Sequence, residues 1–220
     1  MLVDSTAAVH RAWTQWAREV GVDVAGVLAV AHGRRTADTI RLVAPQRDAA
    51  AEAARIEERE IGQAQALRRY PGATALLGAL PPGSWAVVTS GSRPLALSRL
   101  QATGLPVPAT LVTGDDVTAG KPDPECYLAG AAGLSLAPPD CVVVEDAPAG
   151  VASGLAAGMR VVAVTTTHPA AALATADVIL AGLGELRART SASEIRLSPR
   201  VHLSRVHRPP ASSSRRPRPK

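Results

Sequence analysis

Short apolar runs alternate with helix-like stretches from residue 85 onward. The predicted strands are residues 85–88, 110–113, 141–144, 160–164 and 177–180. The predicted helices between them are residues 94–103, 124–132 and 149–157, the last stopped by Gly158. Continuous apolar strands that alternate with helices predict an α/β fold with a parallel sheet covered on both faces.

The first 70 residues carry a helical pattern instead. Apolar residues recur at helical spacing over residues 6–20, at Val9, Ala12, Trp13, Trp16 and Val20. Residues 47–69 are rich in Ala, Glu and Arg and have no strand pattern. We expect a helical unit here with the tryptophans in its core, and an exposed basic turn at residues 31–36.

Charge is divided unevenly along the chain. The 220 residues carry a formal net charge of +5, yet residues 187–220 hold ten Lys and Arg and one acidic residue, Glu194. The preceding 186 residues hold 14 basic and 18 acidic residues. The Ser- and Pro-rich tail is predicted to be disordered. This basic tail is the one feature that favours nucleic acid as a partner. We favour a solvated extension instead, because the tail lacks interleaved aromatic residues.

No segment predicts membrane insertion or export. No apolar run reaches the roughly 18 residues of a membrane span, and residues 1–25 lack the zones of a signal peptide. Cys126 and Cys141 are expected to be reduced thiols, because two cysteines do not make a disulfide framework. We therefore expect a cytoplasmic monomer that binds no membrane.

Candidate polar residues follow two of the predicted strands and occupy one of the loops between them. The sequence TSGS at 89–92 provides hydroxyls and a flexible backbone at a helix start, and GKPDP at 120–124 holds a single lysine. Glu145 and Asp146 directly follow the strand at 141–144. Donors for phosphate oxygens, a fixed positive charge and oxygen ligands for Mg²⁺ are what metal-assisted phosphoryl transfer requires.

Each motif also has a purely structural explanation. TSGS is a common helix cap or turn, Lys121 could be a surface lysine, and Glu145 with Asp146 could cap the next helix. The order and spacing of the three motifs together favour phosphoryl chemistry.

With these motifs the chain resembles the haloacid dehalogenase superfamily, specifically its sugar-phosphatase and beta-phosphoglucomutase branch, over about residues 1–185. The resemblance rests on VTSGSR at 88–93, GKPDP at 120–124 and VVVEDAPAG at 142–150. It implies that Ser90, or Thr89 beside it, binds the transferring phosphate next to Gly91. It also implies that Lys121 neutralises phosphate and nucleophile, and that Asp146 helps to hold Mg²⁺ with Glu145, directly or through water.

The resemblance also implies a domain plan. A Rossmann-like parallel core at 71–186 would carry an inserted α-helical cap at 6–70, after a remnant of the first core motif at 1–5 and before the basic tail at 187–220. The loop at 31–36 would close over the active site, which makes His32, Arg34 and Arg35 candidates for substrate specificity. Tyr70 begins the expected return hinge into the core.

The first motif of the family is only partly present. Leu2, Val3, Asp4 and Ser5 match its end, which would put the nucleophilic aspartate about four residues before Met1 and the acid/base aspartate about two before it. The strand that carries this motif would lie between the strands of Val87 and Val143, so we expect a gap there. Asp4 and Ser5 would instead cap the first helix.

The sequence therefore predicts a Mg²⁺-dependent phosphomonoester hydrolase for small phosphorylated metabolites, foremost sugar phosphates, whose catalytic aspartates lie upstream. As written, the chain is expected to be inactive or nearly so. A phosphoglucomutase, a non-catalytic sugar-phosphate binder and a nucleic-acid-associated protein remain as alternatives.

Overall fold

Four helices form a cap near the start of the chain in the computed structural model, which describes residues 1–191 and 194–200. They are α1 (Thr6–Val20), α2 (Val24–Ala31), α3 (Thr36–Val43) and α4 (Ala49–Gly62). Trp13, Trp16, Ile40 and Ile56 are buried together between them. The indole Nε1 of Trp16 donates to Glu52 Oε2 at 2.9 Å, which satisfies its one donor inside this core. The predicted helix at 6–20 and the tryptophan core are thus present.

A short pair of antiparallel strands closes the base of the cap. Strand β1 (Val3–Asp4) pairs with β2 (Arg68–Arg69), with Val3 opposite Arg69. The helical prediction for residues 47–69 is therefore too long, since α4 ends at Gly62 and the chain then turns back to pair with β1. Both connections between cap and core run side by side here.

The rest of the chain alternates strands and helices. After α5 (Ala73–Gly78) come β3 (Ala86–Val88), α6 (Arg93–Ala102), β4 (Thr110–Val112), α7 (Glu125–Gly133), β5 (Val142–Glu145), α8 (Pro148–Ala156), β6 (Arg160–Val164) and β7 (Val178–Leu180). All ladders among β3 to β7 are parallel. The α/β prediction is confirmed, and each predicted strand and helix of this region is present with shifts of at most one residue at its ends.

The parallel strands form two separate sheets. One sheet contains β3 and β4, and the other contains β5, β6 and β7 in that order. Within the described residues, β3 and β5 each leave one edge without a strand partner. A cavity of about 890 Å³ is lined by residues of both edges, including Val87, Val88, Val143 and Val144. The gap expected between the strands of Val87 and Val143 is therefore an open, largely apolar cleft.

A β-hairpin follows the last parallel strand. Strands β8 (Leu186–Thr190) and β9 (Ile195–Pro199) pair antiparallel, with Leu186 opposite Pro199. The expectation that residues 187–220 are disordered is wrong for residues 187–191 and 194–200. The reason is apolar packing, because buried Leu186 and half-buried Leu197 join the core cluster around Leu183. The remaining tail residues, 192–193 and 201–220, lie outside the described residues.

Among residues 1–191 and 194–200, no helix has both the length and the apolar character needed to cross a membrane.

Candidate active site

The predicted site residues, except Arg35, line one cavity of about 250 Å³ between cap and core. The cap contributes His32 and Arg34, and the core contributes Thr89, Ser90, Gly91, Lys121, Glu145 and Asp146. The core residues follow β3, precede α7 or end β5. This is the edge at which ligands bind in parallel α/β sheets, beyond the carboxyl ends of the strands.

Lys121 is held inside the core by a compact polar network. Its Nζ lies 2.6 Å from Glu145 Oε1 and 3.1 Å from the hydroxyl of Tyr127. The Tyr127 hydroxyl in turn donates to Glu145 Oε1 at 2.8 Å, and Nζ also approaches the Val88 carbonyl oxygen at 3.4 Å. Lys121 is therefore a fixed, buried positive charge at the carboxyl ends of β3 and β5.

The carboxylate of Glu145 is satisfied by hydrogen bonds within the fold. Its Oε2 accepts the backbone N–H groups of Asp146 and Ala147, at 2.7 and 3.1 Å. The carboxylate also occupies the space that a Cβ at position 150 would fill, so this position requires glycine. Burial alone would raise the pKa of Glu145, but Lys121, helped by these hydrogen bonds, lowers it to about 2. Glu145 therefore orients Lys121, and its carboxylate is not presented as a direct metal ligand.

Asp146 presents its carboxylate to the cavity. Its Oδ2 accepts a hydrogen bond from Thr166 Oγ1 at 2.8 Å and lies 2.8 Å from the N-terminal ammonium of Met1. Its carbonyl oxygen is contacted by Thr167 Oγ1 at 2.7 Å and by His168 Nδ1 at 3.0 Å. The side chain is thus oriented by the fold.

A complete metal site is not formed by this chain's described residues. No group of three or more His, Cys, Asp or Glu side chains among them is arranged to hold a metal ion. Asp146 offers one carboxylate, whereas Mg²⁺ requires an octahedral set of oxygen ligands. The fit of the described residues to Mg²⁺ is therefore partial.

The loop between α2 and α3 packs onto the core. Ser90 Oγ donates to the carbonyl oxygen of Gly33 at 3.0 Å. Gly33 has a φ of +83°, and a Cβ there would lie 2.5 Å from the Cβ of Ala147. The expectation of an exposed turn is wrong, because residues 32–35 are half-buried against the core and Ala31 is buried. The loop therefore covers the carboxyl end of β3 directly.

Three histidines meet where the cap loop faces the core. His10 and His32 approach through their Nε2 atoms at 3.1 Å, and the rings of His32 and His168 lie 6.1 Å apart, centroid to centroid. Burial lowers the pKa of His32, and the neighbouring His10 and His168 lower it further. Neutral His32 is therefore favoured at this contact.

Arg35 does not reach the cavity. Its guanidinium binds Asp38 through Nε and Nη2, at 2.6 and 3.1 Å, and donates to the carbonyl oxygens of Val117 and Thr118, both at 2.9 Å. Four of its five N–H donors are engaged, two by Asp38 within the cap and two by these carbonyl oxygens of the core. Its expected role in substrate binding is therefore corrected to a structural one.

The expected capping of α1 is present for Asp4, through one long hydrogen bond, and wrong for Ser5. Ser5 occupies the N-cap position without a side-chain hydrogen bond, and Asp4 Oδ1 accepts from Thr6 N at a long 3.4 Å. Asp4 Oδ1 also accepts from the hydroxyl of Tyr70 at 3.2 Å, across the two connections to the cap.

Several cavity or network residues escaped the sequence interpretation. They are Tyr127, His10, His168, Glu60 and Arg99. Tyr127 had a usable signal, since it lies on a predicted helix soon after GKPDP. The others come from elements distant in sequence, and only the folded chain brings them together.

Comparison with known proteins agrees with this geometry. A sequence model described as haloacid dehalogenase-like hydrolase matches residues 2–158. Hexitol phosphatase A of Escherichia coli (strain K12) is 45% identical over 190 residues, which cover 84% of this chain and 88% of that protein. Glycerol-1-phosphate phosphohydrolase 2 of Saccharomyces cerevisiae is 35% identical over 178 residues, covering 76% of this chain and 71% of that protein.

Solved structures share the fold. The crystal structure of beta-phosphoglucomutase from Clostridium difficile superposes with a TM-score of 0.74 at 19% identity, covering 85% of this chain and 89% of that one. A single sequence model spans most of the cap and core, and relatives well above 30% identity match most of their own length. The chain belongs to the haloacid dehalogenase-like hydrolase family.

Proposed function

We propose that the protein is a phosphatase that hydrolyses phosphomonoesters of small sugars or sugar alcohols. The observation that carries the proposal is the convergence of Ser90, Lys121 and Asp146 on one cavity beneath a helical cap. Hydroxyl and backbone N–H donors suit phosphate oxygens, and a buried lysine supplies a fixed positive charge. Two relatives named for hexitol and glycerol phosphates support a polyol or sugar as the organic part.

The nucleophile is proposed to come from an additional strand in the cleft between β3 and β5. The cleft is bordered by the unpaired edges of two parallel strands and by apolar side chains such as Val87 and Val143. An extended apolar segment would pair with both edges and join the two sheets into one. Its carboxyl end would then lie beside Ser90 and Asp146, where a following aspartate could attack phosphorus.

In the proposed reaction, this aspartate carboxylate forms a bond to phosphorus and the ester oxygen leaves. A second aspartate two residues on protonates the departing alkoxide, then removes a proton from the water that hydrolyses the aspartyl-phosphate. Inorganic phosphate is released and the first carboxylate is regenerated. Lys121 and the donors around Ser90 stabilise the negative charge on the phosphoryl oxygens throughout.

Mg²⁺ is the proposed cofactor, with Asp146 as the ligand from this chain and the additional aspartates as the others. When bound, the ion would neutralise charge on the phosphoryl group. Glu145 would act on this site indirectly, through its contact with Lys121 and through the backbone of Asp146.

The proposal is tested by phosphate release from a panel of hexitol, hexose and glycerol phosphates. The protein should be assayed with Mg²⁺ in a form extended upstream in its own reading frame, beside an extended form that carries Lys121→Met. We expect release from at least one polyol or sugar phosphate, and a loss of at least about a hundredfold in the Lys121 variant. No release from any compound in the panel would overturn the proposal.

A further inference from the structure

We propose that Glu60 and Arg99 form a subsite that recognises the hydroxyl groups of a singly phosphorylated polyol. The inference rests on the proposed phosphatase function and specifies the organic part of its substrate. Glu60 lies near the end of α4 in the cap, and Arg99 lies on α6 in the core. Both side chains line the cavity that also contains Ser90, Lys121 and Asp146.

The two side chains form an ion pair across the boundary between cap and core. Arg99 Nη2 donates to Glu60 Oε2. The side chain of Glu60 is only 4% exposed and that of Arg99 20% exposed, so both are largely removed from bulk water. Charged groups this deeply buried are normally fully hydrogen-bonded, because desolvation is costly.

The pair leaves hydrogen-bonding capacity unused. A guanidinium has five N–H donors, and the contact with Glu60 engages Nη2. Arg99 Nε is buried and has no hydrogen-bond partner in the described part of the chain. Buried polar atoms without partners are rare in folded proteins, and one beside a ligand cavity points to a ligand group as the partner.

The charge of the pair determines which ligand group fits. Glu60 and Arg99 together are neutral, so they do not form a second anion site, and a bisphosphate would place a phosphate against the Glu60 carboxylate. A hydroxyl group donates to a carboxylate and accepts from a guanidinium, which matches both partners at once. One phosphate at Ser90 and Lys121, with hydroxyls at Glu60 and Arg99, describes a polyol monophosphate.

A purely structural ion pair that fastens the cap to the core is the competing explanation. It predicts that removal of the pair affects every phosphorylated ligand alike. Recognition of hydroxyl groups predicts a selective effect, on hydroxylated ligands only. Two ligands of similar length separate these outcomes: sorbitol 6-phosphate, and hexyl phosphate, which has no hydroxyls on its chain.

The test is isothermal titration calorimetry of the 220-residue chain with each ligand, in EDTA so that metal-dependent turnover is suppressed. The variants are Arg99→Met and the double variant Glu60→Leu with Arg99→Met, which avoids a lone buried charge and keeps the apolar volume. Glu19→Gln is the matched control, because it also breaks an ion pair to an arginine. Glu19 pairs with Arg59 on α4, and neither residue lines the cavity.

The unaltered chain should bind sorbitol 6-phosphate at least about tenfold more tightly than hexyl phosphate. The double variant should lose that preference and keep its affinity for hexyl phosphate, while Glu19→Gln behaves like the unaltered chain. Equal loss of both ligands, or an unchanged preference, would overturn the subsite. Failure of the unaltered chain to bind sorbitol 6-phosphate would also overturn the subsite, whereas absence of phosphate release from the upstream-extended form would overturn the proposed function on which the subsite rests.

Discussion

Lys121 Nζ lies 2.6 Å from Glu145 Oε1, and both side chains are at least nine-tenths buried. The contact connects the loop before α7 to the end of β5. It places the positive charge of Lys121 at a fixed point behind Ser90 and Asp146, since the lysine is also bound to Tyr127. The position of the Lys121 charge and the stability of the core therefore depend on the same pair.

Loss of the lysine should destabilise the fold as well as the site. Lys121→Met leaves the Glu145 carboxylate buried without its cation, which should lower the free energy of unfolding by about 3–5 kcal/mol. Tyr127→Phe removes one hydrogen bond to the same carboxylate and should cost about 1–3 kcal/mol. Urea denaturation at pH 7 measures both. Equal stability of Lys121→Met and the unaltered chain would show that the pair contributes nothing to folding.

The same pair predicts a pH dependence. The folded pKa of Glu145 is about 2, below its ordinary value of 4.5, because the nearby Lys121 outweighs the effect of burial. Between pH 4.5 and about pH 2 the unfolded chain therefore binds more protons than the folded chain. The stabilisation that Glu145 contributes is complete above pH 4.5 and is lost as the pH falls through about 2. Its total is roughly 3 kcal/mol.

Urea denaturation between pH 5 and pH 3 should therefore show a smaller fall in unfolding free energy for Glu145→Gln than for the unaltered chain. Parallel curves for the two proteins would contradict the depressed pKa of Glu145.

Glycine at position 33 should be required for docking of the cap loop. Gly33→Ala combines a φ of +83° with a clash against Ala147, whereas Gly83→Ala combines a similar φ of +79° with open space. Backbone strain costs each variant about 1 kcal/mol. Only Gly33→Ala should also release the loop and break the Ser90 contact, which exposes Arg34 and Arg35 to trypsin.

Trypsin cleavage within residues 31–36 should therefore be faster in Gly33→Ala than in Gly83→Ala or the unaltered chain. Identical cleavage rates for the two glycine variants would show that the loop is not held by the contact with Ala147.

The hairpin predicts different effects for two deletions at the end of the chain. Removal of residues 195–220 takes away β9, including Leu197, which packs with Leu183 and Leu186. This should lower the unfolding free energy by about 2 kcal/mol or more. Removal of residues 201–220 leaves both described strands in place and should change it by less than about 0.5 kcal/mol. Equal effects of the two deletions would contradict the packing of the hairpin.

Local sequence patterns predicted much of the fold. The strand at 160–164 and the helix at 6–20 have the same ends in the structure, because continuous apolar runs and helical spacing are local signals. The hairpin at 186–199 was missed, since its charged residues alternate with a few apolar ones whose burial depends on a core formed by distant segments. Composition alone therefore predicted disorder for part of a sheet.

The site was predictable to a similar extent. Ser90, Lys121 and Asp146 follow strands and stand in recognisable motifs, so their convergence followed from the parallel topology. The orientation of the Glu145 carboxylate could not be inferred from the sequence. It depends on the space left by the missing Cβ of Gly150 and on the hydrogen bond from the Tyr127 hydroxyl. Arg35 and Arg34 are neighbours in sequence, yet only the fold shows that one binds Asp38 while the other faces the cavity.

The central claim is that a strand carrying the nucleophilic aspartate completes the cleft between β3 and β5 and produces a phosphatase. It is tested most directly by the initial rate of phosphate release from sorbitol 6-phosphate with Mg²⁺, for the 220-residue chain and the upstream-extended form side by side. The account predicts release by the extended form, at least about a thousandfold slower release by the 220-residue chain, and loss of the extended form's activity with Asp146→Asn. Equal rates for the two forms, or an extended form that releases no phosphate, would contradict it.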